Sequence, residues 1–150
     1  MTAATLYTVM DIPPWASPEG VCYMKIHLET GAGANLIRAY KTGQITVNDG
    51  TYASSLVLMP DRILYPWGAG RVSELGLEDF VQIAALHPEV VLLGTGLRLR
   101  FPRPAITRPL IEAHIGMEVM DTAAACRTYN ILMGEGRRVA AALMMIETET

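Results

Sequence analysis

A chain of 150 residues, 51% apolar and 18% charged, is read as one globular domain, able to bury about two thirds of its unfolded surface, and not as a disordered segment. Its net charge of −3 gives no electrostatic pull toward nucleic acid or an anionic membrane. The longest clean apolar run, Val139 to Ile146, falls far short of the roughly 20 residues a membrane-spanning helix requires.

The first 23 residues differ from the rest: they are rich in proline and small residues and show no sustained periodicity. Met24-Lys25-Ile26-His27-Leu28 then alternates like a short strand. The expectation is that residues 1–23 are an extended arm or a mis-assigned start, with a single α/β domain over 24–150; an ordered strand around Leu6 to Met10 is the alternative. No basic region precedes Leu6, so a signal peptide is not expected here. The two cysteines, Cys22 and Cys126, form no CxxC pair. Reduced thiols and a cytoplasmic location are the simplest reading.

From Leu36 the chain reads as β. Leu36 to Tyr40 is a strand, and Ile45 to Asn48 alternates apolar with polar residues. Asn48-Asp49-Gly50 is a hairpin signal, because glycine tolerates positive φ. The partner strand begins at Thr51 and becomes fully apolar at Leu56 to Met59. Pro60-Asp61 turns the chain, and Arg62 to Tyr65 returns, so residues 36–65 are expected to form an antiparallel meander.

The rhythm then becomes helical. Gly76 is an acceptable N-cap, Glu78 and Asp79 suit a first turn, and Phe80, Ile83, Ala84 and Leu86 share a face. Val90 to Leu93 is a strand without a polar side, as expected in a parallel sheet covered on both faces. Pro102 to Pro104 is an extended connector. Thr107 to Ile115 is a short helix with Pro109 in its first turn and Gly116 as its left-handed C-cap. Met117 to Met120 is a strand. Asp121 or Thr122 then caps a helix running to Met133, which ends at Gly134-Glu135-Gly136. Val139 to Ile146 is the last strand, apolar enough to be central. The pattern predicts an α/β domain: a β-meander followed by α-β-α-β-α-β, with helices on both faces of a mixed sheet.

Four segments carry a resemblance: LMPDRI (58–63), HPEVVLLGTG (87–96), RFP (100–102) and MDTAAACRTYNILMGEGRRVAAAL (120–143). In that order they resemble the domain-of-unknown-function family that includes mitochondrial complex I assembly factor 3 and the adipogenesis-associated domain-containing protein. This chain looks like a bacterial member. The resemblance spans roughly residues 24–146. It implies a three-layer α/β domain, no established enzymatic activity, and action through other proteins. The long N-terminal extension and the insertion-like Trp67 to Arg71 are departures from it.

The candidate chemistry is concentrated in two strand-to-loop transitions. Gly94-Thr95-Gly96 could bring backbone N–H groups to an anion, although it lacks a dinucleotide or phosphate-loop motif; a tight exit from a buried strand is the simpler explanation. Asp121-Thr122 is first of all a helix cap. Facing the glycine loop across a cleft, that helix start would also offer donors to a carboxylate or phosphate. Cys126, one turn in, could have a lowered thiol pKa, but no base is placed to activate it and small neighbours suit a buried structural cysteine. Asn130, beside Arg127 and Tyr129, suggests a hydrogen-bonding task, because asparagine is a mediocre helix former. Arg62 could complete an anion site, and Arg137-Arg138 could pair with acids or stay solvated. His27, His87 and His114 are dispersed, so neither a metal nor a cofactor is expected.

These readings favour a non-enzymatic binding or assembly module with a protein partner. The alternative is a small anionic-ligand-binding protein or unrecognised enzyme using Gly94, Thr95, Gly96, Asp121, Thr122, Cys126, Asn130 and Arg62. A purely structural homo-oligomer is a third reading. No nucleic acid and no membrane span is expected.

Overall fold

The computed structural model describes residues 34–68 and 70–147. The expected arm, the start at Met24 and the strand that follows it lie outside these residues.

Two sheets are formed. Strands β1 (Ile37–Lys41), β2 (Gln44–Val47) and β3 (Gly50–Tyr52) make a small antiparallel sheet. Strands β4 (Leu56–Met59), β5 (Arg62–Leu64), β6 (Val90–Gly94), β7 (Gly116–Met120) and β8 (Val139–Leu143) make the main sheet, in the order β5-β4-β8-β6-β7. Its β6–β7 and β6–β8 pairs are parallel and its β4–β5 and β4–β8 pairs antiparallel, so the sheet is mixed. The helices are α1 (Leu77–Ala84), α2 (Arg108–Glu112) and α3 (Thr122–Gly134). The α-β-α-β-α-β order after the antiparallel strands is the one expected.

The antiparallel strands are divided between the two sheets rather than joined in one meander. The ladder breaks after Tyr52 and resumes at Leu56. Leu56 to Met59 are all fully buried. A strand apolar on both faces needs cover on both, and the main sheet supplies it: alternate residues of β4, β6 and β8 point into two cores. Leu56, Leu58, Leu92, Val139, Ala141 and Leu143 lie in the core beneath α3 and the small sheet. Val57, Met59, Val91, Leu93, Ala140 and Ala142 lie in the core beneath α1 and α2. Helices thus cover both faces, and β8 is central as its sequence indicates.

Three local details differ from expectation. In the 48–50 hairpin the left-handed residue is Asn48 (φ 52°), while Gly50 already begins β3; asparagine tolerates this region through local hydrogen bonding. Helix α2 ends earlier than expected, with Ala113 as its C-cap, so the left-handed residue that terminates it is His114 (φ 61°) and not Gly116, which starts β7. The His114 N–H donates to Ile111 O at 3.0 Å and the Ile115 N–H to Leu110 O at 2.9 Å, which satisfies the terminal carbonyls. Trp67, read as part of an insertion-like stretch, is a core residue. Its indole N–H donates to Asp79 O at 3.0 Å, and its ring meets Phe80 edge-on at 6.1 Å.

Candidate functional site

The carboxyl ends of β6 and β7 meet the start of α3, as the sequence indicates. Asp121 caps that helix, its Oδ1 accepting the Ala124 N–H at 2.8 Å. At Gly94 helix and sheet approach closely: a Cβ there would lie 3.0 Å from Thr122 Cα and 3.1 Å from both Ala125 Cβ and Leu143 Cδ2. Glycine is needed for this close approach.

Beyond Gly94 the chain is clasped by hydrogen bonds. Thr122, fully buried, is the centre of the clasp: its hydroxyl donates to Met144 O at 2.6 Å and accepts the Gly96 N–H at 2.8 Å. In return the Thr122 N–H donates to Gly96 O at 2.9 Å, and the Met144 N–H to Gly94 O at 2.9 Å. The Thr95 N–H donates to Met120 O at 2.9 Å, tying β6 to β7. The Thr95 hydroxyl donates to Arg98 O at 2.7 Å and accepts the Arg100 N–H at 3.1 Å. The Thr95 and Gly96 N–H groups that an anion would use are therefore engaged within the fold. So are two of the first three N–H groups of α3, those of Thr122 and Ala124.

The remaining candidates lie elsewhere. Cys126 is a buried reduced thiol, 1% exposed, in the core beneath α3. Asn130 has the hydrogen-bonding task its residue type suggests. Its Oδ1 accepts the Ile37 N–H at 3.0 Å and its Nδ2 donates to Ile37 O at 2.8 Å, so a side chain completes the backbone pairing of β1. Arg62 is not with the others. Leu58 pairs with Ala141, which pairs with Leu92, whereas Gly94 pairs with Leu143; Arg62, opposite Met59, therefore sits at the other end of the sheet. There it lies 3.7 Å from Asp61, half-exposed.

That far end holds a small charge network. Arg138 contacts Asp61 at 3.4 Å and donates to Leu86 O at 3.2 Å, and Arg137 contacts Glu89 at 3.1 Å. Partial burial would raise the Asp61 pKa, but the charge and hydrogen bond of Arg138, aided by Arg62, hold it below the usual carboxylate range. The hydrogen bond from Arg137 lowers that of Glu89.

Sequence reasoning missed a polar joint built on Asn35. Its Nδ2 donates to Met59 O at 2.8 Å, its Oδ1 accepts from Asn48 at 3.0 Å, and its backbone carbonyl accepts the Tyr129 hydroxyl at 2.8 Å. Burial, with the Asp61 charge, raises the Tyr129 pKa far above that of an ordinary phenol. Also missed were the exposed apolar residues just past the clasp: Leu97, Leu99 and Phe101 are 50%, 52% and 72% exposed. The alternation LRLRF was the available signal.

Among the described residues no cluster of His, Cys, Asp or Glu could hold a metal ion. Within the same residues no helix is long and apolar enough to cross a membrane.

Comparison with known proteins gives the family. The profile described as "Protein of unknown function (DUF498/DUF598)" matches residues 37–144. The protein named NADH dehydrogenase [ubiquinone] 1 alpha subcomplex assembly factor 3 from Danio rerio is 34% identical over 118 residues, covering 77% of this chain and 67% of that protein. The bovine protein of the same name is covered over 61% of its length, so the chain spans two thirds or less of these relatives. A protein from Francisella tularensis named 13 kDa major membrane protein is 29% identical over 103 residues, covering 68% of this chain and 84% of its own. A crystal structure of a Bordetella parapertussis protein superposes with a TM-score of 0.71 at 40% identity, covering 76% of this chain and 98% of that one.

Proposed function

The chain belongs to the DUF498/DUF598 family, and from that premise we propose that it is a non-enzymatic assembly module that acts through protein–protein contacts. The observation that carries this reading is the 34% identity, over most of this chain, to a protein named as an assembly factor of NADH dehydrogenase. The geometry supports it. The residues that most resembled a ligand site spend their hydrogen bonds on one another: Thr122 on Gly96 and Met144, Thr95 on Arg98 and Arg100, Asp121 on Ala124. Such groups stabilise the carboxyl end of the sheet and leave few donors for an anion. Large apolar side chains stand exposed beside them, as expected of a surface used for contact. The setting proposed is the cytoplasm, where the buried thiol of Cys126 stays reduced.

The anionic-ligand alternative would draw on the first turn of α3 and Thr95. Arg62, at the opposite end of the sheet, could not join it.

Deletion of the gene, with membrane complexes resolved on native gels and stained for NADH dehydrogenase activity, tests the proposal. The expected result is less assembled complex with unchanged subunit transcripts, restored by the wild-type chain. Normal assembly together with a lost enzymatic activity would refute it.

A further inference from the structure

The loop that follows β6 is built to hold apolar side chains in water. Its root is fixed by Thr95, whose buried hydroxyl binds the backbone of both Arg98 and Arg100. Its far end is fixed by Pro102 and Pro104, which restrict φ, and by Arg103, whose guanidinium donates to Leu75 O at 3.4 Å. Between these anchors Leu97, Leu99 and Phe101 remain half to three-quarters exposed. Large apolar side chains on a restrained loop have already lost much of the freedom that binding would otherwise take from them.

The stretch of chain that carries this loop is basic. From Val90 through Ile111 the chain carries four arginines and no Asp or Glu. The rest of the molecule therefore carries a net −7, because the whole chain is at −3 and these four add +4. Arg103 and Arg108 are both exposed.

Resting on the assembly reading, we propose that residues 97–108 are the docking surface for an acidic, apolar-bearing segment of a partner protein, with Leu97, Leu99 and Phe101 as its anchors. Charge selects this occupant over a lipid surface. An anionic bilayer would present its field to a whole side of a molecule whose remaining residues are strongly negative. A short acidic segment feels chiefly the arginines within a Debye length of about 8–10 Å. Carboxylates would be steered to this loop and away from the rest of the surface. Phenylalanine, leucine and arginine together form the kind of centre that dominates contact energies.

The test is in-cell photocrosslinking of the full chain, with p-benzoylphenylalanine placed in turn at Phe101, Ile111 and Ile131, all exposed, and the crosslinked peptides sequenced. The expected result is capture at Phe101 of a segment of another protein that bears both carboxylates and apolar residues. In the Arg108→Glu variant, which leaves the Arg103 anchor in place and whose melting temperature is checked as unchanged, that capture should fall by about threefold or more. Capture at Phe101 of lipid, of a second copy of this chain, or of a segment without carboxylates would overturn the proposal. So would capture insensitive to charge reversal. A protein captured only at Ile111 or Ile131 would remove this loop while leaving the assembly reading in place. Silence at all three positions would count against both.

Discussion

Replacing Thr122 with valine separates a structural clasp from a binding site. Valine keeps the shape and burial of threonine and deletes only the hydroxyl. That hydroxyl bridges Gly96 N–H at 2.8 Å and Met144 O at 2.6 Å, and Thr122 is fully buried. Both partners would be left without it. A buried polar group stripped of its partner costs about 1–3 kcal/mol, so two such groups give a loss of roughly 2–6 kcal/mol. Against a total stability of about 5–15 kcal/mol that is severe. With a urea slope near 2 kcal/mol/M, the unfolding midpoint should drop by roughly 1–3 M at constant slope. Thr122→Ser is the control, since it retains the hydroxyl and loses one methyl, worth about 1 kcal/mol. A loss below about 0.5 kcal/mol in the valine variant, or equal damage from serine and valine, would refute the clasp.

Other consequences are also measurable. Asn130→Ala strips both backbone groups of Ile37 of their side-chain partner; it should cost about 2–4 kcal/mol, and the Ile37 amide should exchange faster with deuterium, whereas unchanged exchange would show that β1 is held by other means. In a Cys22→Ser background, Cys126 should resist Ellman's reagent in the native protein and react fully in denaturant, because it is only 1% exposed; rapid native labelling would reinstate a reactive thiol. Asp61 and Glu89 titrate below their ordinary values of 3.8 and 4.5, so the stability they lend is present above the ordinary values and is lost as pH falls through the lowered ones. The wild-type urea midpoint should therefore fall on acidification below about pH 4.5, with a shallower decline in Asp61→Asn/Glu89→Gln; equal slopes would show that these pairs do not contribute.

Local signals were the legible ones. The Asp121 cap, the Gly136 terminator and the two-sided apolar strand at Val139 each rest on neighbours within a few residues, and each stands where the residues indicate. The β-rich first half was legible as strands but not as two sheets. Whether Tyr52 and Leu56 continue one ladder depends on β8, more than 80 residues away, pairing with β4. Asn35 reads as a loop residue because its partners, Met59, Asn48 and Tyr129, are distant in sequence. The site divided along the same line. The Gly94–Gly96 and Asp121–Thr122 segments come together because β6 and β7 are parallel neighbours. Arg62 follows an antiparallel turn at the opposite end, a register that no short motif encodes. The glycines, suited in principle to cradle an anion, are explained by the approach of α3 to within contact of Gly94.

A chain that works bound to another protein should be found with that partner in the cell. The measurement is the native size and composition of the tagged chain recovered from its own cells at its natural level, by size exclusion followed by native mass spectrometry. A heteromeric species of fixed stoichiometry is the expected result. Recovery solely as monomer or self-oligomer, with a small anion retained, would contradict it.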